Sequence, residues 1–231
     1  MFRIRAALAA VAGVVTLATL LVPTSGAGAA DGCVAWATLP ARVVLGPDGV
    51  TVHTTLRGTA ACHGVTTDNG GTATLAGPDR RSDLGLRWSR IGASDQATYY
   101  PTLNRPGTYR IVDGDLQTYD AKYMHIPATW RETTTVLKYA GRFTGVTHQG
   151  ASVTATLQFY GRVGWQHHSN VAVALQRYVG SGEWRTVART HSGSGGRVSI
   201  GGWRSGATYR LVSGSTGVVW GTAHRIGANP A

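Results

Sequence analysis

The sequence TYRIVDG at residues 108–114 returns as TYRLVSG at residues 208–214, 100 positions later. A second pair, GVTVHTTL at 49–56 and GASVTATL at 150–157, is offset by 101 positions. Two matches at nearly the same offset indicate one fold present twice, because a repeated structural unit keeps its internal spacing. An interval of about 100 residues is typical of an immunoglobulin-like domain.

Both repeats have the residue pattern of short β-strands. Segments with alternating apolar residues are rich in Val, Thr, Tyr and Trp, and Gly, Pro, Asp or Ser separates them. Tyr109 and Tyr209 suit the tyrosine corner of immunoglobulin-like sandwiches, and Ile111 and Leu211 stand where antibody domains carry a core cysteine. Trp88 is expected in the first core. We therefore predict an all-β fold with two tandem immunoglobulin-like β-sandwich domains.

The first thirty residues have the features of a cleaved signal peptide. Arg3 and Arg5 precede an apolar run at 7–22, and small residues follow at 27–30. No second apolar run is long enough to span a bilayer. We expect a secreted, extracellular protein without a transmembrane span in the mature chain. Its domains are predicted at residues 31–133 and 136–231, joined by a short elbow.

The chain has two cysteines, Cys33 and Cys62, and both lie in the first repeat. In an oxidising compartment an even pair within a small domain favours a disulfide. No CxxC or catalytic motif adjoins either residue. We predict that they form a structural bridge.

The positive charge of the mature chain is concentrated in the second repeat. Residues 31–135 hold ten basic and ten acidic side chains, whereas residues 136–231 hold ten basic side chains and one acid, for a net charge of +9. Arginine pairs with phosphate or carboxylate, and exposed tryptophan stacks on sugar faces. The predicted anion-binding residues are Arg162, Arg177, Arg185, Arg189, Arg197 and Arg204, and the predicted carbohydrate-stacking residues are Trp184 and Trp203.

These residues favour an anionic cell-wall polymer or acidic glycan as the partner. Nucleic acid is a weaker candidate because the chain has no recognisable reading module. The sequence identifies no protein partner. The alternative interpretation is that the arginines form a solubilising face and the tryptophans belong to the core.

Asp113, Asp115 and Asp120 give a second hypothesis, since oxygen ligands at alternate positions could hold calcium. Their spacing departs from the EF-hand loop, and solvated turn and edge residues are the alternative interpretation. No nucleophile elbow, HExxH motif or phosphate-binding loop occurs in the chain. The prediction is a non-catalytic binding or adhesion module without a required cofactor. Calcium binding and a cell-wall-active enzyme remain the alternatives.

Four segments carry a family resemblance: GTYR at 107–110, TTVLKY at 134–139, WRTV at 184–187 and VWGTA at 219–223. Together they resemble secreted actinobacterial proteins with tandem immunoglobulin-like domains, which are often labelled hypothetical or calcium-binding. The resemblance implies a β-sandwich fold and an exported location. It implies no catalytic residue.

Overall fold

The computed structural model describes residues 32–63, 70–120, 122 and 124–227. The predicted signal peptide at 1–30 lies outside these residues. Regular structure in the described part consists of β-strands and a few short 3-10 turns, so the predicted all-β class is confirmed. None of its helical segments has the length and apolar character needed to cross a membrane.

The first sandwich consists of two facing sheets. One sheet has the order β6-β3-β1-β8 and the other the order β2-β9-β7-β4-β5. The short β2 pairs in parallel with β9, while β1 pairs antiparallel with β3, so residues 33–45 contribute to both sheets. The strands are β1 (Cys33–Thr38), β2 (Arg42–Leu45), β3 (Val50–Gly58), β4 (Gly70–Ala76), β5 (Leu84–Trp88), β6 (Ser94–Tyr99), β7 (Gly107–Gln117), β8 (Ala128–Trp130) and β9 (Thr134–Tyr139).

The second sandwich also has two sheets. In one, β11 pairs with β10, β12 and β15; the other has the order β14-β13-β16-β17. Burial alternates along β11, where every second residue from Val153 to Leu157 is buried, as expected for a strand with one face on the core. The strands are β10 (Gly141–Gln149), β11 (Ser152–Gly161), β12 (Gly164–His167), β13 (Ala172–Gly180), β14 (Glu183–His191), β15 (Arg197–Gly201), β16 (Tyr209–Ser213) and β17 (Ala223–Ile226).

The repeated tyrosine motif lies at equivalent places in the two cores. Tyr109 on β7 is buried, and its hydroxyl donates to the carbonyl of Arg105 at 2.9 Å, which is the predicted tyrosine corner. Tyr209 on β16 is also buried. Ile111 and Leu211, two residues further on, face their cores as predicted. Apolar packing therefore joins the two sheets where antibody domains have their disulfide.

A buried hydrogen bond and a disulfide also stabilise the first core. Trp88 is buried as predicted, and its indole N–H donates to the Thr54 hydroxyl at 3.2 Å. The Cys33–Cys62 disulfide is confirmed and joins β1 to the 3-10 turn that follows β3. Both cysteines are buried. The bridge holds the first strand in place at the start of the sandwich.

The first sandwich passes into the second through a single residue, Ala140. Strand β9 ends at Tyr139 and β10 begins at Gly141. The start predicted for the second domain, Val136, lies inside β9, whose partners β2 and β7 belong to the first sandwich. By strand pairing, the passage between sandwiches lies at residue 140. The apolar residues of β9 complete the first core, which explains the difference.

Residues 214–222, between β16 and β17, form a loop that packs on the first sandwich; we call it the junction loop. Val219 in this loop is buried within the first core. The indole N–H of Trp220 donates to the carbonyl of Val43 at 2.7 Å. The Trp220 ring also contacts the charged groups of Arg42, at 4.3 Å, and Lys138, at 4.6 Å. The second sandwich thus contributes side chains to the packing of the first.

Candidate anion-binding site

Strand β16 leads from the junction loop to the opposite end of the second sandwich, where its first residue is Tyr209. At that end the N–H of Tyr178 donates to the Thr208 carbonyl at 2.9 Å, which joins the β13–β14 hairpin to the β15–β16 loop. The N–H of Trp203, in the same loop, donates to the Ala151 carbonyl at 3.0 Å. Three separate connections therefore meet there. We call this region the distal end; it comprises residues 148–151, 177–187, 202–209 and 226–227.

Three of the predicted anion-binding residues surround one cavity at the distal end. Arg177, Arg185 and Arg204 line a cavity of about 420 Å³ together with Tyr209 and Gly202. None of its lining residues is acidic. We call these three side chains the arginine cluster. Guanidinium groups converging on one space form a suitable binding site for phosphate or carboxylate.

The register of the β13–β14 hairpin places two members of the cluster side by side. Arg177 lies directly opposite Arg185 on the adjacent antiparallel strand. A bulge between Tyr178 and Gly180 produces this pairing, since the bulged strand carries one extra residue there. An unbulged hairpin would instead place Arg185 opposite Tyr178. The bulge therefore places two arginines at one cavity.

The arginine cluster has no ion-pair partner among the described residues. The one acid of the second repeat, Glu183, is exposed beside the hairpin turn and forms no ion pair within the same described part of the chain. Like charges directly opposite each other on neighbouring strands are destabilising. Arg177 is half-buried, which weakens the screening of its charge by solvent. An anion in the cavity would offset this repulsion.

A second cavity adjoins the same loop on the side of Trp203. It measures about 470 Å³, and Trp203, His148, Ser205 and Ile226 are among its lining residues. The His148 imidazole stacks on the Trp203 indole with 4.0 Å between ring centroids and 16° between planes. We call this space the aromatic cavity. Its indole ring and neighbouring hydroxyl resemble the surfaces that bind small polar ring compounds.

Two glycines shape the loop between the cavities. Gly202 has φ +96° and Gly206 has φ +77°, values that side chains other than glycine adopt only with strain. The turn that they bracket places Trp203 in the lining of the aromatic cavity and Arg204 in the lining of the arginine cavity. Trp203 and Arg204, which are adjacent in the chain, thus line two neighbouring cavities.

Trp184, the other predicted carbohydrate-stacking residue, lies outside both cavities. Its half-buried ring contacts the guanidinium of Arg210 at 4.4 Å and packs edge-on against Tyr178. Arg210 is held there by a hydrogen bond to the Gln176 side chain at 2.7 Å. Arginine therefore covers one face of this ring.

The other three predicted arginines are spread over different surfaces. Arg162 lies at the β11–β12 turn and donates to the Thr102 carbonyl of the first sandwich at 3.3 Å. Arg189 on β14 lies opposite Ala174, and Arg197 on β15 lies opposite Thr156. All three are exposed, and none lines the arginine cavity. The structure thus brings together three of the six predicted arginines at one cavity.

The three aspartates predicted as calcium ligands do not converge. Asp113 lies at a bulge of β7 with φ +51°, and Asp115 continues the strand opposite Thr72. One carboxylate oxygen of Asp120 accepts the N–H groups of Lys122 and Met124 at 2.8 and 2.9 Å. Within the described residues, no group of three histidine, cysteine or acidic side chains is arranged to hold a metal ion. Asp120 has a local role in shaping its turn.

Two residues at the distal end were not predicted as site residues. Tyr209 was interpreted only as a fold marker, yet it lines the arginine cavity. His148 was not assigned a partner, and its ring stacks on Trp203. The sequence holds no direct signal for either placement, because both depend on contacts between segments distant in the chain: Tyr209 lies beside Arg177 and Arg185, and His148 lies on Trp203.

Comparisons with known proteins give weak likenesses. No protein-family model matches the chain, and no curated protein matches it. A structure of Escherichia coli alpha-2-macroglobulin spanning domains NIE-MG1 is 11% identical, covering 84% of this chain and 96% of its own, with a TM-score of 0.29. A cytokine receptor complex is 11% identical, with coverage of 82% and 94% and a TM-score of 0.36.

A third solved structure, a DUF3823 family protein from Parabacteroides merdae, is also 11% identical, covering 81% of this chain and 93% of its own, with a TM-score of 0.24. Because these TM-scores are low, the assignment of the fold depends on the strand pairing of this chain alone.

Proposed function

We propose that this protein is a non-catalytic, secreted binding module that attaches to anionic polymers of the cell envelope or to acidic glycans. The contact surface would be the distal end of the second sandwich. One observation carries the proposal: Arg177, Arg185 and Arg204 line a single cavity that has no acidic lining residue. Isolated surface arginines do not require a ligand, whereas a cluster without a counter-charge favours binding of an anion.

The charge of the whole second repeat supports the same partner. Its net charge of +9 creates a positive field that attracts polyanions and speeds their encounter with the cluster. The cavity then supplies short-range pairing through planar guanidinium groups, which bind phosphate and carboxylate with two parallel hydrogen bonds. Long-range attraction by the whole second repeat and local pairing at the cavity therefore favour the same class of partner.

An exported location is part of the proposal. Residues 1–30 have signal-peptide features, and the Cys33–Cys62 disulfide is compatible with an oxidising extracellular environment. Phosphate-rich wall polymers and acidic glycans are the abundant polyanions outside a cell with a thick wall. The protein would therefore meet its partner where it is released.

The experiment is co-sedimentation of the purified chain with isolated cell wall across a salt series. We expect binding at low salt that declines steadily toward about 1 M salt, where charges are screened beyond roughly 3 Å. Wall stripped of its anionic polymers is the matched ligand control and should retain little protein. Equal retention by intact and stripped wall, or binding that ignores salt, would contradict the proposal.

Two triple variants separate the site from the net charge. The cluster variant is Arg177→Gln/Arg185→Gln/Arg204→Gln. The matched variant, Arg162→Gln/Arg189→Gln/Arg197→Gln, removes the same charge from the same sandwich but leaves the cavity intact. We expect the cluster variant to lose at least about tenfold in affinity for intact wall, which corresponds to about 1.4 kcal/mol. The matched variant should lose much less.

A further inference from the structure

The geometry of the β15–β16 loop points to a more specific ligand. We propose that the distal end binds a sugar ring that carries a phosphate or carboxylate, with the anionic group among the arginine cluster and the ring in the aromatic cavity. This inference rests on the proposed function, because it assigns the partner of the same arginine cluster. It adds that a free anion fills only half of the site.

The two cavities meet the β15–β16 loop at consecutive residues. Trp203 and Arg204 are consecutive residues, so their Cα atoms are about 3.8 Å apart. One lines the aromatic cavity and the other lines the arginine cavity. The two cavities share no lining residue, so a ligand that occupies both must cover the backbone at residues 203–204, with its ring on one side and its anionic group on the other. Sugar phosphates and uronic acids meet this requirement, whereas a linear polyol phosphate offers no ring.

The lining of the aromatic cavity suits a sugar ring. The Trp203 indole provides a flat apolar surface, and the Ser205 side chain provides a hydroxyl at the same cavity. A pyranose has apolar C–H faces and a rim of hydroxyl groups, which match such a surface. The cavity volume of about 470 Å³ lies within the range of small-molecule sites.

The His148 ring covers the Trp203 indole from an exposed position. Its side chain is exposed at the end of β10 and stacks on the indole at 4.0 Å. Trp203 itself is half-buried and packs against the second core, which fixes its orientation. An exposed histidine on a fixed tryptophan can change rotamer and leave part of the indole to a ligand ring.

The test is a titration followed by NMR of the tryptophan indole N–H groups, of which the chain has seven. The probes are inorganic phosphate, glycerol 3-phosphate, glucose 6-phosphate and glucuronic acid, with glucose as the neutral control. Trp203→Phe assigns the indole signal of residue 203. We expect glucose 6-phosphate and glucuronic acid to shift this signal and to bind at least about fivefold more tightly than the two ringless phosphates.

Each outcome is informative. If all anions bind equally and the Trp203 signal does not move, the ring site is wrong although the anion site stands. If no anion perturbs the protein, the proposed function fails as well. Binding of glucuronic acid but not of glucose 6-phosphate identifies a carboxylate as the anionic group of the natural ligand, and the reverse result identifies a phosphate.

Two variants serve as further checks. Trp203→Phe should reduce the preference for glucose 6-phosphate over glycerol 3-phosphate to less than about twofold. Trp184→Phe is the matched control, since Trp184 lies outside both cavities, and it should leave the preference unchanged. A preference that survives Trp203→Phe, or that Trp184→Phe abolishes, would overturn the assignment. Because both anions are compared on the same variant, partial destabilisation does not affect the ratio.

Discussion

Arg177 and Arg185 lie directly opposite each other on the antiparallel strands β13 and β14, and neither forms an ion pair with a described residue. Cross-strand pairs of like charge are destabilising, and such pairs are usually avoided or neutralised. Here the bulge of the β13–β14 hairpin creates the pairing. The local cost in stability becomes understandable if the natural state of this site includes an anion.

Replacing one of the two arginines should therefore stabilise the free protein. We expect Arg185→Thr to raise the free energy of unfolding by about 0.5 kcal/mol at low salt, with a smaller gain at high salt. Urea denaturation at two salt concentrations measures the effect. Arg189→Thr is the matched control because Arg189 lies on the same strand opposite Ala174. Equal gains for both variants would show that net charge alone is responsible.

The junction loop should stabilise the first sandwich. Val219 belongs to the second repeat but is buried in the first core, so Val219→Ala should cost about 1–2 kcal/mol. Hydrogen exchange localises the effect, and we expect faster exchange in β2 and β9 of the first sandwich. Val218→Ala is the control, since the Val218 side chain is about half exposed. Unchanged exchange in those two strands would argue against the coupling.

The Cys33–Cys62 bridge should contribute strongly to the first sandwich. It closes a loop with a sequence separation of 29 residues. In the chain-entropy model this corresponds to roughly 3–4 kcal/mol, so Cys33→Ser/Cys62→Ser should lower the unfolding free energy by about that amount. Thermal and urea unfolding measure the loss. A variant as stable as the native protein would show that packing around β1 suffices without the bridge.

His168 should make stability depend on pH. Partial burial lowers the pKa of this histidine below its ordinary value of 6.5, and its ring packs against Phe159. The unfolded chain therefore binds a proton more readily than the folded one. The contribution to stability is present above about pH 6.5 and is lost as pH falls through the lower folded pKa.

Comparison with His168→Gln tests this dependence. The variant should lose less stability than the native protein between about pH 7.5 and pH 5. His167→Gln is a suitable control because His167 is exposed. If His167→Gln flattens the pH profile as much as His168→Gln does, His168 is not the responsible group.

The sequence predicted the frame of this protein better than its site. The predicted core residues occupy their expected positions, since each belongs to a local alternating pattern. They are Tyr109, Tyr209, Ile111, Leu211 and Trp88. The predicted start of the second domain, Val136, falls inside β9, because the alternation along that strand does not show that its partners β2 and β7 belong to the first sandwich. Local pattern predicts strands well and predicts their partners poorly.

The site depended on pairing that composition does not contain. Six arginines were equivalent in the sequence, and the hairpin bulge together with the β15–β16 loop selected three of them. Trp184 and Trp203 were equally good candidates for sugar stacking. Strand register brought Arg210 onto the Trp184 ring, whereas Trp203 lines a cavity. Contacts between distant segments decided both outcomes.

The arginine cluster, rather than the overall charge, should bind the anionic partner. Calorimetric titration of one soluble, purified wall polymer into the native protein, the cluster variant and the matched variant tests it directly at a single low salt concentration. We predict that the Kd rises at least about tenfold in the cluster variant and less than about threefold in the matched variant. Equal weakening of both variants, or none in the cluster variant, would contradict the claim.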